Sequence, residues 1–291
     1  MKDDMMIKQE IPRILDFITN YVGESARVAI AVSGGLDSDV VARLCAMALG
    51  VDRIKLWIVR QPQMEQKYLD NARVLAKDLG VQLVEIDLGE MSVDLIRVLE
   101  SADPDAGFRA DSLLDPARAN SSIRTALLSS YQEKGYIIAG TTNKTESILG
   151  FFLPFGDYLG HFKPIAHLFK SEVRLLAQHI GVRAEVIDQP ASAGFWEGEN
   201  DLEDVAYWLY NCGPIPGGRT FTDEDDLYVK EIQSHLSQLR IDICLEELQM
   251  GRTDKEISHA SELPLYIVQA LRTVVKTAVK TKNLPLLQVM E

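Results

Sequence analysis

The stretch Ala31-Val32-Ser33-Gly34-Gly35-Leu36-Asp37-Ser38 decides the fold, because it closes a short apolar run and opens a helical one. Upstream, residues 28–32 are continuously apolar, as in a strand buried on both faces. Downstream, residues 37–49 carry apolar side chains at helical spacing. Between them, two glycines let the backbone turn tightly and approach a ligand, and the helix start offers unpaired N–H groups and a positive dipole end. Phosphate is the natural occupant. Ser33 and Ser38 add hydroxyl donors, whereas Asp37 repels phosphate unless a cation lies between them, which implies magnesium. Taken alone, the glycine pair reads more readily as an ordinary strand-to-helix turn capped by Asp37.

Working outward, apolar runs and 3.6-residue periods alternate through the first two thirds of the chain. They predict a leading helix near 11–21, strands at 54–59 and 83–86, and helices at 65–79 and 93–99. A surface loop at 101–118, rich in Asp, Ala, Pro and Gly, precedes a helix at 120–133 and a strand over Tyr136–Ala139. Glycines and prolines among aromatics make 150–165 an irregular loop, after which 171–180 is helical. From Asp201 onward only helices are expected, at 203–210, 225–239, 243–250, 254–259 and 265–281. The class is therefore α/β with a parallel, Rossmann-like sheet. The division is an α/β domain over 1–200 that carries the glycine loop and a helical C-terminal extension over 201–291, expected to act as one functional unit.

Composition narrows the function. The 291 residues include 30 Lys+Arg and 43 Asp+Glu, a formal net charge of −13 that disfavours nucleic acid as partner. No apolar run approaches the ~20 residues of a membrane span, and the opening MKDDMMIKQE lacks the apolar core of a secretory signal. Cys45, Cys212 and Cys244 are odd in number, far apart and never in a CxxC pair, which argues against disulfides or a zinc site and points to the reducing cytoplasm. The five histidines show no HExxH or comparable metal spacing, and all but His161 are read as structural.

The complete SGGxDS string between strand and helix resembles the signature of the PP-loop ATP pyrophosphatases, and matches neither GxxxxGK[ST] nor GxGxxG. That resemblance implies an adenine-nucleotide alpha-hydrolase-like fold, cleavage of ATP between the α and β phosphates, and adenylation of a substrate. Further motifs are Gly140-Thr141-Thr142-Asn143-Lys144-Thr145-Glu146, Phe155-Gly156-Asp157, Pro164-Ile165, His167-Leu168-Phe169-Lys170 and Pro190-Ala191-Ser192-Ala193-Gly194. In order and spacing they resemble the ammonia-dependent NAD synthetases, over essentially the whole chain.

Carried over by position, the resemblance implies that Ser33, Gly34, Gly35, Asp37 and Ser38 bind ATP, with Thr141 on its adenosine and Lys170 and Ser192 at the phosphates. Asp37 and Glu146 become the magnesium carboxylates, Arg124 a contact to the dinucleotide, and Asp157 the carboxylate beside the incoming ammonia. Asp157 and Lys170 are thus the catalytic pair. Taken singly, Lys170 and Arg124 read as solvated helix cations and Glu146 as an ordinary helix carboxylate; their joint occurrence behind the SGGxDS loop favours the functional reading.

Departures from the family pattern cluster. Pro154 stands where the family has a lysine, Tyr158 and Leu159 replace a glycine pair, His161 replaces an aspartate, and Ala126 an arginine. Lys280-Thr281-Lys282 aligns with the family's HKR segment, and a glutamate is missing near Asp201. These positions belong mainly to the acceptor pocket, where Tyr158 and His161 face the substrate on this reading. The expectation is an ATP-dependent, ammonia-using amide ligase whose carboxylate acceptor differs from deamido-NAD, with a genuine NAD synthetase as the alternative. The length leaves no room for a glutaminase domain, so free ammonia or a separate glutaminase supplies nitrogen. The resemblance also implies a homodimer. Two other readings are RNA modification, disfavoured by the charge and the missing CxxC, and a non-enzymatic regulator using a helix-turn-helix-like segment at 250–275 that has few surplus cations.

Overall fold

The computed structural model describes residues 1–60, 64–112, 114–152, 156, 158–190, 200–213 and 221–282. Its elements run α1 (Asp4–Val22), β1 (Arg27–Ala31), α2 (Leu36–Leu49), β2 (Ile54–Arg60), α3 (Gln66–Leu79), β3 (Leu83–Asp87), α4 (Met91–Ala102), α5 (Leu114–Glu133) and β4 (Tyr136–Ala139). They continue with α6 (Lys144–Leu149), α7 (Lys170–His179), α8 (Ala184–Asp188), α9 (Asp201–Tyr210), α10 (Asp223–His235), α11 (Gln238–Gln249), α12 (Asp254–Ser261) and α13 (Leu265–Lys282). Two compact units result, one of Met1–Lys144 with Phe155–Asp201, the other of Thr145–Pro154 with Leu202–Glu291. No helix among the described residues is long and apolar enough to cross a membrane.

In the first unit the strands form a parallel sheet in the order β3-β2-β1-β4. The continuous apolar runs follow from burial on both faces. Val28, Ile30, Leu56 and Ile58 pack with Ile14 and Ile18 of α1, Val40 and Leu44 of α2 and Leu176 of α7. Trp57 and Val59 point the other way, against Ile123, Leu127 and Tyr131 of α5. Trp57 is fully buried and stacks on Tyr131 with ring centroids 5.6 Å apart. At the far edge β3 is amphipathic, and Glu85 pairs with Arg73 of α3 at 2.7 Å.

Beyond β4 the chain returns along the sheet margin. Phe162 bridges Ala139 in parallel, His161 N donates to the Ile138 carbonyl at 2.8 Å, and Gly140 N donates to the Phe162 carbonyl at 2.8 Å. A Cβ on Gly160 would stand 2.7 Å from the Gly140 nitrogen, so only glycine lets this segment lie so close to the end of β4.

Three expectations are corrected. The loop expected over 101–118 is shorter, because α4 runs to Ala102 and α5 already begins at Leu114. Pro116, a loop signal by composition, falls in the first turn of α5, where a missing N–H removes no helix hydrogen bond. The break between the helices expected over 225–239 and 243–250 falls earlier: α10 ends at His235, Leu236 is extended, and Ser237 caps α11 by accepting the Arg240 N–H at 3.3 Å. Finally, α1 starts at Asp4, well before residue 11, with Asp3 accepting the Met6 N–H at 2.8 Å and Pro12 inside the helix.

Every regular element of the second unit among the described residues is a helix. Its helix starts are written in capping chemistry: Thr222 and Asp225 cap α10 reciprocally, and Thr253 and Glu256 do the same for α12. Between α12 and α13 the chain turns at Glu262, which has φ 57°.

Candidate functional site

The strand order places the site. From β1 the chain steps outward through β2 to β3, then crosses back to β4 on the other side of β1. Where the direction of winding reverses, the loops at the carboxyl ends of neighbouring strands diverge and leave a crevice, here between β1 and β4. The glycine loop leaves β1 at this point, and the 140–143 loop leaves β4 beside it.

The glycine loop is rigidly held. Gly34 has φ +77°, and a Cβ there would lie 1.9 Å from the Tyr68 carbonyl oxygen, a backbone atom that cannot swing aside. The Gly34 carbonyl accepts from Asn71 Nδ2 at 3.2 Å and Gln189 Nε2 at 3.1 Å, and Asn71 Nδ2 also donates to Gln189 Oε1 at 3.0 Å. Within the loop, Ser38 Oγ accepts the Ser33 N–H at 3.1 Å and donates to the Gly35 carbonyl at 3.1 Å, while Ser33 Oγ accepts the Gly35 N–H at 3.2 Å. The hydroxyls of Ser33 and Ser38 are 3.2 Å apart. Both serines therefore shape the loop, an organising role that their reading as phosphate donors leaves out.

Asp37 stands in the first turn of α2, where the helix dipole favours a carboxylate. Lys170 stands at the start of α7, the end where the dipole disfavours a cation, and it is only 7% exposed. Its ammonium is paired with the Asp37 carboxylate, which rules out the solvated-surface reading of this lysine. Such a placement gives α7 nothing, so the reason for the lysine lies at the loop it faces. Glu172, also buried, accepts the Phe169 N–H at 2.9 Å and so fixes the turn that presents Lys170. Behind the loop, Asp39 bonds to Arg43 Nε at 2.6 Å, and Arg43 reaches on to Asp78 at 3.1 Å. Burial pushes the Asp39 carboxyl above its usual range, with Arg43 pulling the other way.

The structure adds Asn143, which sequence reasoning missed as a site residue. It is fully buried at the end of the 140–143 loop and donates from Nδ2 to Asp37 Oδ1 at 3.3 Å. Asn71 and Gln189 were missed too, because no local motif marks a side chain that braces a loop from elsewhere in the fold. For Asn143 the signal existed: it belongs to the same quoted motif as Thr141.

The remaining expected residues lie as follows. Thr141 is half-buried in the loop after β4, and Glu146 is in the first turn of α6, in the second unit. Arg124 is on α5, which packs on the sheet face opposite α2. Tyr158 lies under the Lys163 ammonium, 2.9 Å from ring centroid to Nζ. His161 is exposed, and its Nδ1 accepts the Ile138 N–H at 3.0 Å, so one ring nitrogen serves the sheet margin. Asp157 and Ser192 lie outside the described residues, as does Pro154.

Among the described residues no group of three or more His, Cys, Asp or Glu side chains is arranged to hold a metal. Magnesium is commonly held by one or two carboxylates together with substrate phosphates, so the hard oxygens of Asp37 beside the glycine loop fit an ion that arrives with a nucleotide.

Comparison with known proteins identifies the family. The family model described as NAD synthase matches residues 10–211. A relative from Methanocaldococcus jannaschii, named NH3-dependent NAD+ synthetase, is 27% identical over 97% of this chain and 98% of its own. One of the same name from Chlorobaculum tepidum is 32% identical over 67% of this chain and 68% of its own. Among solved structures, an NMN synthetase from Francisella tularensis superposes with a TM-score of 0.72 at 19% identity, covering 100% of both chains. An NH3-dependent NAD synthetase from Campylobacter jejuni superposes with a TM-score of 0.68 at 21% identity, covering 98% of this chain and 99% of its own. At these identities the two structures establish a shared fold.

Proposed function

The chain belongs to the NAD synthase family, as a ligase that forms a carbon–nitrogen bond using ATP, and from that premise we propose that it amidates the nicotinate carboxylate of deamido-NAD with ammonia. The observation that carries this reading is the pairing of Lys170 with Asp37 at the mouth of a braced glycine loop. That arrangement suits the binding and splitting of a nucleoside triphosphate. The comparisons lend no support to an acceptor other than deamido-NAD, although Tyr158, Leu159 and His161 depart from the family pattern.

In the first step a carboxylate oxygen of the acceptor attacks the α-phosphorus of ATP, the bond to the β-phosphate oxygen breaks, and pyrophosphate leaves. Backbone N–H groups of the glycine loop orient the phosphates, with Ser33 and Ser38 holding the loop in shape. Lys170 moves from Asp37 to the departing pyrophosphate, where a fixed cation stabilises the developing charge. Asp37 and Glu146 are the carboxylates assigned to magnesium, and Asn143 keeps Asp37 oriented. Magnesium, when bound, neutralises phosphate charge. In the second step the ammonia nitrogen attacks the acyl carbon of the adenylate, AMP leaves with its oxygen, and Asp157 takes the proton. Thr141, Ser192 and Arg124 complete the proposed contacts to ATP and dinucleotide. Nitrogen arrives as free ammonia or from a separate glutaminase. A homodimer is part of the proposal, supported by the exposed apolar side chains Met91, Leu95 and Val98 along α4.

Incubation with ATP, magnesium, deamido-NAD and ¹⁵N-ammonium tests the reaction. The expected product is NAD carrying ¹⁵N in its amide, detected by mass spectrometry. Consumption of ATP without labelled NAD would overturn deamido-NAD as acceptor, and nicotinate mononucleotide is the next carboxylate to supply.

A further inference from the structure

In the second unit, Asp242 of α11 is fully buried, next to the buried Ile241, Cys244 and Leu245. Its Oδ1 accepts the Thr145 hydroxyl at 2.6 Å and Gln238 Nε2 at 2.9 Å. A hydroxyl-to-carboxylate bond of this length is charge-assisted and among the stronger hydrogen bonds in proteins. Burying a carboxylate is costly, and a well-packed apolar pair in the same space is often equally stable. Something other than packing must therefore account for this contact, which joins residues 97 apart in the chain.

Thr145 belongs to α6, a helix of six residues whose buried positions are Thr145 and Leu149. A helix this short does not hold itself in water, so its placement is set by its anchors. An apolar contact such as that of Leu149 permits rotation about the helix axis, whereas a directional hydrogen bond fixes it. The residue after Thr145 is Glu146, in the same first turn.

We infer that Asp242 is a positioning residue: through the Thr145 hydroxyl it fixes the rotation of α6 and thereby the direction of the Glu146 carboxylate. The inference rests on the reading of Glu146 as a magnesium ligand, and the variants separate the two. On the full chain, the half-saturating magnesium concentration for pyrophosphate release is measured for Thr145→Val, Thr145→Ser and Glu146→Gln, each alone, and for Thr145→Val in the Glu146→Gln background. Manganese binding in the presence of ATP, followed by electron paramagnetic resonance, gives a readout independent of turnover, and circular dichroism reports folding.

Thr145→Val raises the half-saturating magnesium concentration about 10-fold, as loss of an outer-shell partner does, and weakens manganese binding in parallel. Thr145→Ser keeps the hydroxyl and stays near the parent. In the Glu146→Gln background Thr145→Val adds little, because its effect runs through Glu146. An unchanged metal requirement in Thr145→Val, or effects of the two substitutions that multiply in full, overturns the positioning role. An unchanged metal requirement in Glu146→Gln overturns the reading of Glu146, and the inference falls with it.

Discussion

At Gly34 the backbone itself is the reason for the residue. A φ of +77° costs a side-chain-bearing residue about 1–3 kcal/mol, and the Tyr68 carbonyl stands where a Cβ would go. Gly34→Ala therefore displaces the loop; binding of ATP, followed by calorimetry, falls at least about 10-fold, a loss at the low end of that strain. Lys170 makes a different contribution. Lys170→Met removes the cation for pyrophosphate, so kcat for pyrophosphate release falls about 10²–10³-fold, as removal of a fixed electrostatic donor does elsewhere, and the Asp37 carboxylate left without its partner lowers the melting temperature as well. Of the residues expected at the site, the loop residues and Lys170 were legible because each sits in a contiguous motif with a chemical rationale. Asn143 shares its motif with Thr141, but its role was not legible there: a carboxamide in such a loop suggests capping or turn chemistry, and only its burial and hydrogen bond to Asp37 show its target.

Among the elements, α2 is the one whose N-terminal position matters most, since Asp37 and the loop start from it. It is secured from behind by the buried Asp39–Arg43 pair, which continues to Asp78 on α3. Arg43→Met leaves Asp39 buried without its cation and lowers stability by about 3 kcal/mol in urea denaturation, whereas Asp39→Asn combined with Arg43→Met recovers part of that loss. The braces from α3 and from the residue after α8 act on the same loop: Asn71→Leu or Gln189→Leu raises the KM for ATP several-fold with kcat largely retained, measured by pyrophosphate release. Elements were most legible where periodicity and caps agreed. The β4 strand is found at the expected residues because a short apolar run followed by Gly140 has no helical competitor. The start of α5 was obscured by Asp115 and Pro116, residue types that open a helix as readily as they make a loop. The break between α10 and α11 was obscured because Leu236 keeps the apolar period across it, although Ser237 supplied a cap signal.

For the whole molecule, the reversal of winding at β1 and β4 accounts for the location of the site, and the winding order is not written in any single motif. The continuous apolar run over 28–32 implied a strand buried on both faces, and a parallel sheet with helices on each side accords with that. What the sequence could not supply is the side to which β4 returns, a long-range choice made by packing of α5 on the Trp57 face and of the 160–162 segment on the outer margin. Family membership and this geometry converge on adenylation followed by amidation. The most direct test is pyrophosphate release by the purified protein with ATP, magnesium and ammonium, with and without deamido-NAD. Strong stimulation by deamido-NAD, with NAD, AMP and pyrophosphate formed in equal amounts, is the result expected. ATP bound but no pyrophosphate released on adding deamido-NAD would contradict it.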